Sequence, residues 1–272
     1  MTPAIRHGLA GTLALMSCLV GLSAGCRWRT GPRVVLILQV ATDDIEGDTV
    51  DAGPARLLGD GAVEETIKVL KRRVRLLPLS DAVVTAYEGG ADQVKVEMWG
   101  VSDLESAKKF LTRRGHLQLK VVEDFAGSRE LLLKNHGGAL PAPLQIFEGQ
   151  GEEPGQAICY LVRRDVVITG RDIKGARAGV GLDNRPNVQF ILSPTGAEKF
   201  GRETAANVGR RLAIILDDLV VSAPTIQGAI ADSGVINGRF TSEEAAELAK
   251  VLRTGPLPAR VTCLRVIGPA PP

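Results

Sequence analysis

The chain has 272 residues, a formal net charge of +2 and an aromatic content of 4%. This balance of charges argues against a nucleic-acid-binding protein, which presents a strongly basic face, and so few aromatic residues leave little surface for stacking single-stranded bases. The length is sufficient for one or two domains with an apolar core.

The first 25 residues predict a lipoprotein signal peptide. An apolar run over residues 9–20 follows basic Arg6, is shorter than the ~20 residues of a membrane-spanning helix, and leads into Leu22-Ser-Ala-Gly-Cys26. This last stretch resembles a lipobox, which implies that Cys26 carries the lipid and becomes the mature N-terminus. The alternative is an ordinary secretory peptide cut near Ala24. Either route exports the chain, and Arg27 after the cysteine favours lipid anchoring at the outer membrane, facing the periplasm.

The mature chain begins with alternating strands and helices. The apolar run Val34–Val40 predicts a central strand, and the polar, acidic residues Thr42–Gly61 predict a loop. Apolar positions at helical spacing then predict a helix from Ala62 that ends by Leu77, ahead of a proline. Two further strands, Asp81–Tyr87 and Gln93–Trp99, flank a glycine-bearing turn and predict a hairpin.

A second helix and a returning strand complete this first unit. Ser102 and Glu105 have the spacing of a capping box, Gly115 is placed to end the helix, and His116–Val122 predicts the strand that follows. The order strand, helix, strand, strand, helix, strand is typical of a ferredoxin-like sandwich. We call this predicted unit the base.

The middle of the chain is less regular. Glycines and prolines between Ala126 and Gly155 predict an irregular segment, because long structureless segments are uncommon inside a compact domain and often separate units. Short strands are predicted at Ile158–Val162 and Val166–Thr169, and a brief helix near Ile173–Ala178. The glycine pair of Gly179-Val-Gly181 lacks the rest of a phosphate-binding motif and is assigned to a loop.

A helix and a hairpin follow. Ser193 and Pro194 are the residue types favoured at the N-cap and the first turn of a helix. The runs Ala213–Leu216 and Leu219–Val221 meet at Asp217-Asp218 and predict a buried hairpin with a two-residue turn.

The last elements are a helix and a strand. Thr241 and Glu244 have capping-box spacing, and Gly255 with the following proline ends the helix. An apolar stripe predicts that one face of this helix is buried. Residues Arg260–Ile267 predict the final strand. The stripe consists of Ala245, Leu248, Ala249 and Leu252.

Several short motifs along this half of the chain follow one another in a family-specific order. They are Val167-Ile-Thr-Gly-Arg-Asp-Ile173, Ala176-Arg-Ala178, Pro186-Asn-Val-Gln-Phe190, Gly196-Ala-Glu-Lys-Phe200, Asn207-Val-Gly-Arg-Arg-Leu-Ala-Ile214, Ser222-Ala-Pro224, Phe240-Thr-Ser-Glu-Glu-Ala245, Leu248-Ala249 and Leu252-Arg-Thr-Gly-Pro-Leu-Pro258. This order resembles the first periplasmic domain of SecD, the export-motor subunit of SecDF. The Asp-Leu-Arg-Gly-Gly pattern that this family carries before its first strand is replaced here by Trp28-Arg-Thr-Gly-Pro-Arg33.

The resemblance implies an α+β fold, with a ferredoxin-like base and an inserted α+β head subdomain. The expected organisation is a signal peptide (1–25), the first part of the base (26–125), a linker (126–156), the head (157–238) and the closing helix and strand of the base (239–268). The head contains its own helix and hairpin, so we expect residues 157–238 to fold as an isolated fragment and to move relative to the base.

The sequence predicts no enzyme, cofactor or metal site. His116 and His136 are isolated and lack metal-ligand spacing, and Ser222 lacks a nucleophile elbow and a paired base. Cys159 and Cys263 could form a disulfide in an oxidising compartment, although two buried thiols are the preferred interpretation for a domain of this length.

Clusters of like charge are interpreted as solvated ends of elements. The adjacent carboxylates Asp43-Asp44 and Asp217-Asp218 do not converge on a substrate, and Arg72-Arg73 and Arg163-Arg164 suit helix and strand termini. The pair Arg210 and Arg211 has the same interpretation. It is also the candidate polypeptide-binding site, because exposed arginines steer acidic or extended chains.

The leading hypothesis is a tethered, non-enzymatic module that binds unfolded or emerging polypeptide and assists protein export beside Sec translocase components. In the family it resembles, membrane helices supply the proton pathway, and this sequence shows no counterpart, so we expect no autonomous proton-driven motor. The alternative is a structural or assembly lipoprotein that docks a folded envelope partner by a sheet edge. A hydrolase is the weakest hypothesis.

Overall fold

The structure is a computed structural model that describes residues 29–41, 58–140, 142–150, 157–181 and 183–268. The predicted signal peptide, Cys26 and the Asp43-Asp44 pair lie outside these ranges. Within them, no helix is both long enough and apolar enough to cross a membrane.

The described residues form five α-helices and 13 strands, and the strands make three sheets. The helices are α1 (Leu58–Val74), α2 (Leu104–Thr112), α3 (Arg129–Asn135), α4 (Pro194–Ala206) and α5 (Ser242–Thr254). The strands are β1 (Arg33–Val40), β2 (Asp81–Ala86), β3 (Gln93–Trp99), β4 (Leu117–Ala126), β5 (Leu144–Gln150), β6 (Ala157–Arg163), β7 (Ile168–Thr169), β8 (Ile173–Val180), β9 (Pro186–Leu192), β10 (Leu212–Leu216), β11 (Leu219–Ser222), β12 (Ser233–Asn237) and β13 (Val261–Ile267).

The first sheet forms the base, with the antiparallel order β13-β1-β3-β2. Leu36 and Leu38, two residues apart on β1, are fully buried in one apolar cluster. Val69 and Leu70 of α1 and Leu111 of α2 belong to the same cluster. The period of two in the strand and of 3.6 in the helices thus brings the apolar faces of both layers together.

The strand predicted to complete this sheet is the wrong one. His116–Val122 was expected in the base, but β1 pairs with β13, over Val35–Ile267 to Val40–Val261, and β4 joins the second sheet. All six residues from Leu117 to Val122 are buried. An edge strand of a two-layer base would be buried on one face only, whereas β4 needs cover on both, and its own sequence does not specify which sheet provides it.

The second sheet closes on itself as a five-stranded barrel. Antiparallel pairs join β5 to β6, β6 to β4, β4 to β10 and β10 to β11, and a short parallel pairing of β11 with β5 completes the ring. Val162, Ala213 and Ile215 form part of the cluster inside it. Lys120, 1% exposed, lies on the same face of β4 as Val122 of this cluster and donates from Nζ to Gln145 Oε1 at 2.5 Å.

The third sheet, β12-β9-β8, packs against the outside of this barrel. Val188 and Phe190 of β9 share a buried cluster with Leu119 of β4 and Ile214 of β10. The barrel and the third sheet therefore form one apolar unit, which we call the head.

Helix α5 packs on the head. Its predicted stripe of Ala245, Leu248, Ala249 and Leu252 is buried as expected, but in the cluster that contains β9, β4 and β10. The helix was expected in the base, because the resemblance implied that the closing helix and strand both return there. In the structure, pairing with the first sheet resumes only after α5, at β13.

Two segments of the head differ in secondary structure from the prediction. Residues 126–156, predicted to be irregular, contain α3 and β5. Gly137 and Gly138, both at positive φ, follow the end of α3 and do not prevent the helix. Strand β5 forms because it pairs with β6 on one side and with β11 on the other. Residues Ile173–Ala178, predicted to be helical, lie in β8 and pair with β9. Gly179, assigned to a loop, is also part of β8.

Local capping and turn signals are mostly confirmed. Ser193 Oγ caps α4 by accepting from the N–H of Gly196 at 3.2 Å, and both halves of the Thr241–Glu244 capping box are present. Helix α1 begins four residues before the predicted Ala62. Helix α2 is capped by Asp103 rather than by Ser102.

Two connections join base and head, residues 113–116 and 255–260. They run side by side, with the N–H of Leu257 donating to Arg114 O at 2.9 Å. Arg73 of α1, predicted to be solvated, is fully buried beside them and donates to four backbone carbonyls. These are the carbonyls of Phe110, Leu111, Arg113 and Gly255.

Candidate functional site

Arg210, the first of the two predicted binding residues, lies just before β10 and is held by a carboxylate of β4. Its Nη1 donates to Glu123 Oε1 at 2.8 Å, and Nε of Arg163 donates to the same oxygen. Arg163, predicted to be a solvated strand end, is therefore ion-paired. Exposed ion pairs of this kind contribute only roughly 0–1 kcal/mol to stability. The carboxylate of Glu123 nevertheless neutralises part of the charge of Arg210, so Arg210 is a weak anchor for an external anion.

Arg211 has a different environment. Its guanidinium carbon lies 4.5 Å from the ring centroid of Phe125, and the Phe125 and Tyr160 rings are 6.2 Å apart between centroids. A guanidinium over an aromatic face is attracted to it and is restricted in orientation. Arg211 thus keeps its charge near the surface without a carboxylate partner among the described residues.

Arg211 lines a cleft of about 350 Å³ at one end of the barrel. One wall consists of the end of β11, including Ser222, with Tyr160 of β6 beside it. The other consists of residues that flank β9 and β12 in the third sheet. The described lining residues are Tyr160, Asp183, Arg185, Pro186, Arg211, Val221, Ser222, Ala223, Asn237, Gly238 and Arg239.

Arg185 and Arg239, which line the cleft together with Arg211, were not among the residues predicted from sequence. Arg185 precedes β9 and Arg239 follows β12, two strands that pair antiparallel with Asn187 opposite Asn237. Antiparallel pairing brings the start of one strand beside the end of the other. Only knowledge of this strand pairing would have placed Arg185 beside Arg239, and the sequence does not reveal the pairing.

Ser222 is the last residue of β11, consistent with its interpretation as a strand-end serine. Its Oγ is buried and has no hydrogen-bond partner among the described residues. The structure places neither described histidine in this cleft. His136 Nε2 lies 3.0 Å from Asp124 Oδ2, and His116 Nε2 lies 3.1 Å from Gln118 Nε2.

The described residues contain no group of three or more His, Cys, Asp or Glu side chains arranged to hold a metal ion. The two cysteines that the structure describes carry free thiols in different sheets, with Cys159 buried in the head and Cys263 partly exposed on β13. Burial raises the pKa of both thiols, so both are poor nucleophiles at neutral pH.

The turn at Asp217-Asp218 is more than a solvated step. Asp217 Oδ1 accepts from the N–H of His116 at 2.7 Å, and Asp218 Oδ2 lies 3.3 Å from Arg114 Nη1. Both contacts tie the hairpin of the head to the first connection from the base. The acidic pair therefore has a structural role at the junction, away from the cleft.

Two segments of the chain match families of known proteins. Residues 145–259 match the family described as SecDF, P1 head subdomain, and residues 63–124 match the family described as Protein translocase subunit SecDF, P1 domain, N-terminal. SecD of Aquifex aeolicus is 38% identical over 78% of this chain and 41% of its own length. SecD of Koribacter versatilis is 34% identical over 82% of this chain and 42% of its own length. The chain thus spans less than half the length of these relatives.

Two solved SecDF structures share the fold. A crystal structure of SecDF in a super-membrane-facing form has a TM-score of 0.63 at 28% identity, covering 87% of this chain and 30% of that one. A chain from the structure of "a membrane component SecDF that enhances protein export" has a TM-score of 0.61 at 27% identity, covering 85% of this chain and 98% of that one. Because the two family matches follow one another along the sequence and the fold agrees with both structures, this chain belongs to the SecD/SecDF family and contains its P1 domain.

Proposed function

We propose that this chain is a membrane-tethered, extracytoplasmic P1 domain that binds polypeptide without chemical catalysis and assists protein export. The observation that carries the proposal is the match of both P1 segments, in order, over residues 63–259. One of the matched solved structures is described as a SecDF that enhances protein export, and the curated relatives are subunits of the protein translocase. We therefore also propose that Sec translocase components are partners of this chain.

We further propose a division into two units that follows the apolar clusters. The base comprises β1, α1, β2, β3, α2 and β13, whose order in the sheet is that of a ferredoxin-like sandwich with β13 as the fourth strand. The head then runs from Leu117 to Thr254, including β4 and α5. This revises the predicted boundaries of 157 and 238 by assigning each element to the cluster that buries it.

Binding of polypeptide is assigned to the head surface around Arg211. Phe125, 44% exposed beside this arginine, offers apolar surface, and the cleft next to it is open to an extended chain. Arg210 has the lesser part, in steering an approaching chain, because Glu123 already holds it. Neither role requires a nucleophile, a metal or a cofactor.

The decisive experiment titrates the chain, expressed from Arg27 onward, into a fluorescently labelled polypeptide that is held unfolded. We expect a saturable rise in anisotropy, which is absent for the same polypeptide in its folded state. Phe125→Ala should weaken binding at least about threefold, because it removes exposed apolar surface and the support of Arg211. Leu264→Ala is the matched control and should leave binding unchanged, because Leu264 is an exposed apolar residue on the base strand β13.

Binding of a single folded envelope protein, with no binding of unfolded chains, would contradict this function. It would instead support the docking-scaffold alternative. Equal losses for the head and base variants would show that the site is not on the head.

The tether at Cys26 remains a prediction that the described residues do not address. Cys26→Ala should release the protein into the soluble fraction and remove the mass of the lipid. Cys263→Ala, which changes a partly exposed thiol of the base, should leave both properties unchanged. A Cys26→Ala chain that still fractionates with membranes at its modified mass would show that the anchor lies elsewhere.

A further inference from the structure

The described residues that line the cleft at the end of the barrel include more arginines than carboxylates. Arg185, Arg211 and Arg239 come from three separate parts of the head, and Asp183 is the carboxylate among the described lining residues. Asp183 Oδ2 lies 3.8 Å from Arg185 Nε, and its side chain is 63% exposed, so it compensates one of the three guanidinium charges at most. Glu123 does not line the cleft and accepts from Arg163 and Arg210 instead.

One residue that lines the same cleft carries a buried hydroxyl. Ser222 lines the cleft, and its Oγ has no hydrogen-bond partner among the described residues. Leaving a buried polar group without a partner costs about 1–3 kcal/mol. A ligand oxygen that accepts from this hydroxyl would remove that cost, so the site favours an occupant rich in acceptors.

Size and shape limit the occupant. A volume of about 350 Å³ lies at the lower end of the roughly 300–1,000 Å³ of small-ligand sites, and therefore suits one or two side chains rather than a folded surface. Arg211 is already oriented by Phe125, so little conformational entropy is lost when it binds. Guanidinium groups pair with carboxylates through two parallel N–H···O bonds.

We propose that this cleft is a selectivity site that binds acidic side chains of an unfolded polypeptide, through Arg185, Arg211 and Arg239 with Ser222 as a further donor. The inference rests on the proposed function and adds a chemical class of substrate to it. Segments rich in Asp and Glu bind in preference to equally unstructured neutral ones. Apolar contacts around Phe125 hold the rest of the chain without regard to charge.

Two labelled, unstructured peptides test the proposal, identical except that Asp and Glu in one are Asn and Gln in the other. We expect the chain from Arg27 onward to bind the acidic peptide at least about tenfold more tightly at low salt, which one charge-assisted hydrogen bond can supply. The preference should shrink as salt is added. Arg185→Gln combined with Arg239→Gln should reduce it to about threefold or less, and both residues are exposed, so the variant should fold.

Arg177→Gln is the matched control. Arg177 is an exposed arginine of the same sheet, outside the cleft, that donates to Gln189 Oε1 at 2.9 Å. Its substitution removes one positive charge from the head, against two in the double variant, and should leave the preference at its full size. A loss of preference equal to that of the double variant would mean that net charge, and not the cleft, makes the selection.

The outcomes separate the two proposals. If the chain binds both peptides equally, or if the double variant keeps the full preference, the acidic-selectivity site is wrong while polypeptide binding stands. If neither peptide nor an unfolded protein binds at low salt, the proposed function fails, and the selectivity site fails with it.

Discussion

Arg73 is fully buried although it is charged, because four backbone carbonyls surround its guanidinium group. They belong to the C-terminal end of α2, to the residue after it and to Gly255 after α5, where helices leave carbonyls without partners inside the helix. Burial lowers the pKa of Arg73 to about 10, so the group remains protonated at neutral pH. One side chain thus satisfies carbonyls of both connections between base and head.

Replacing Arg73 with Met should lower the free energy of unfolding by about 2–4 kcal/mol, because several buried carbonyls lose their donor. Arg72→Met is the control, since Arg72 is exposed and donates to one carbonyl, that of Thr254, at 2.9 Å. It should cost about 1 kcal/mol or less. Urea unfolding of both variants measures the difference. Equal costs would contradict the role of Arg73 as the link between the connections.

His116, in the first connection, makes the stability sensitive to acid. Burial, followed by the nearby charge of Arg114, lowers its pKa in the folded state; Lys120 acts in the same direction, whereas Asp218 and Asp217 oppose it. The unfolded chain therefore binds more protons below about pH 6.5, the ordinary value for histidine. The contribution of His116 to stability should therefore decrease as the pH drops through about 6.5. Below the lowered pKa of the folded state, this contribution should decrease no further.

Thermal unfolding of the wild type and of His116→Gln across this pH range tests the prediction. Between the folded-state and unfolded-state pKa values of His116, the stability of the variant should depend less steeply on pH than that of the wild type. At lower pH the variant should keep the acid sensitivity that comes from its carboxylates. His136→Gln is the control, because it removes the other described histidine, which lies against Asp124 in the head. An unchanged slope in His116→Gln would show that another group titrates there.

The hairpin β10–β11 illustrates how an element can be predicted in detail from sequence. Asp217 and Asp218 both have positive φ, 49° and 70°, as the two-residue type I′ turn requires. Aspartate accepts this conformation at some cost, whereas glycine accepts it freely. The two positions nevertheless differ, because only Asp217 has a side-chain oxygen bonded to the N–H of His116.

We expect the two turn residues to respond in opposite directions. Asp218→Gly should raise the free energy of unfolding by about 0.5–1 kcal/mol, because glycine adopts the left-handed conformation without strain. This net gain already includes the small cost of losing the exposed contact with Arg114. Asp217→Ala should lower it by about 1–2 kcal/mol, because the N–H of His116 loses its acceptor. Asp217→Asn keeps an acceptor and should stay near the wild type. Chemical denaturation decides, and a destabilised Asp218→Gly would contradict the strain argument.

Elements marked by short-range signals were predictable, and the partners of those elements were not. The capping residues of α4 and α5 and the two-residue turn act within a few positions, so their signals are complete in the sequence. The pairing of β4 with the barrel, the strand β8 and the arginines of the cleft depend on contacts between residues far apart in the chain. Gly175 and Gly179 weaken a helix at β8, yet pairing with β9 is what makes it a strand.

At the scale of the whole molecule, these long-range contacts decide which fragment of the head can fold by itself. The fragment 157–238, expected from sequence to fold alone, lacks β4, which pairs with both β6 and β10 inside the ring of the barrel. It also lacks α5, whose apolar stripe is buried in the head cluster. Removing a strand opens two new edges in the barrel, and removing the helix exposes the cluster to water.

We therefore expect residues 157–238 to be unfolded or aggregated, and residues 117–254 to form a stable domain. The longer fragment contains all five barrel strands, the third sheet and α5, and its ends lie at the two adjacent connections. Dispersed amide resonances and a cooperative thermal transition in 117–254, together with their absence in 157–238, would support this boundary. The pair of fragments also includes its own control, because both contain β6 to β12 and differ in β4, α3, β5 and α5. A cooperative transition in 157–238 would show that the fold does not need β4, β5 or α5, and the head would then have to be defined by the third sheet and α4.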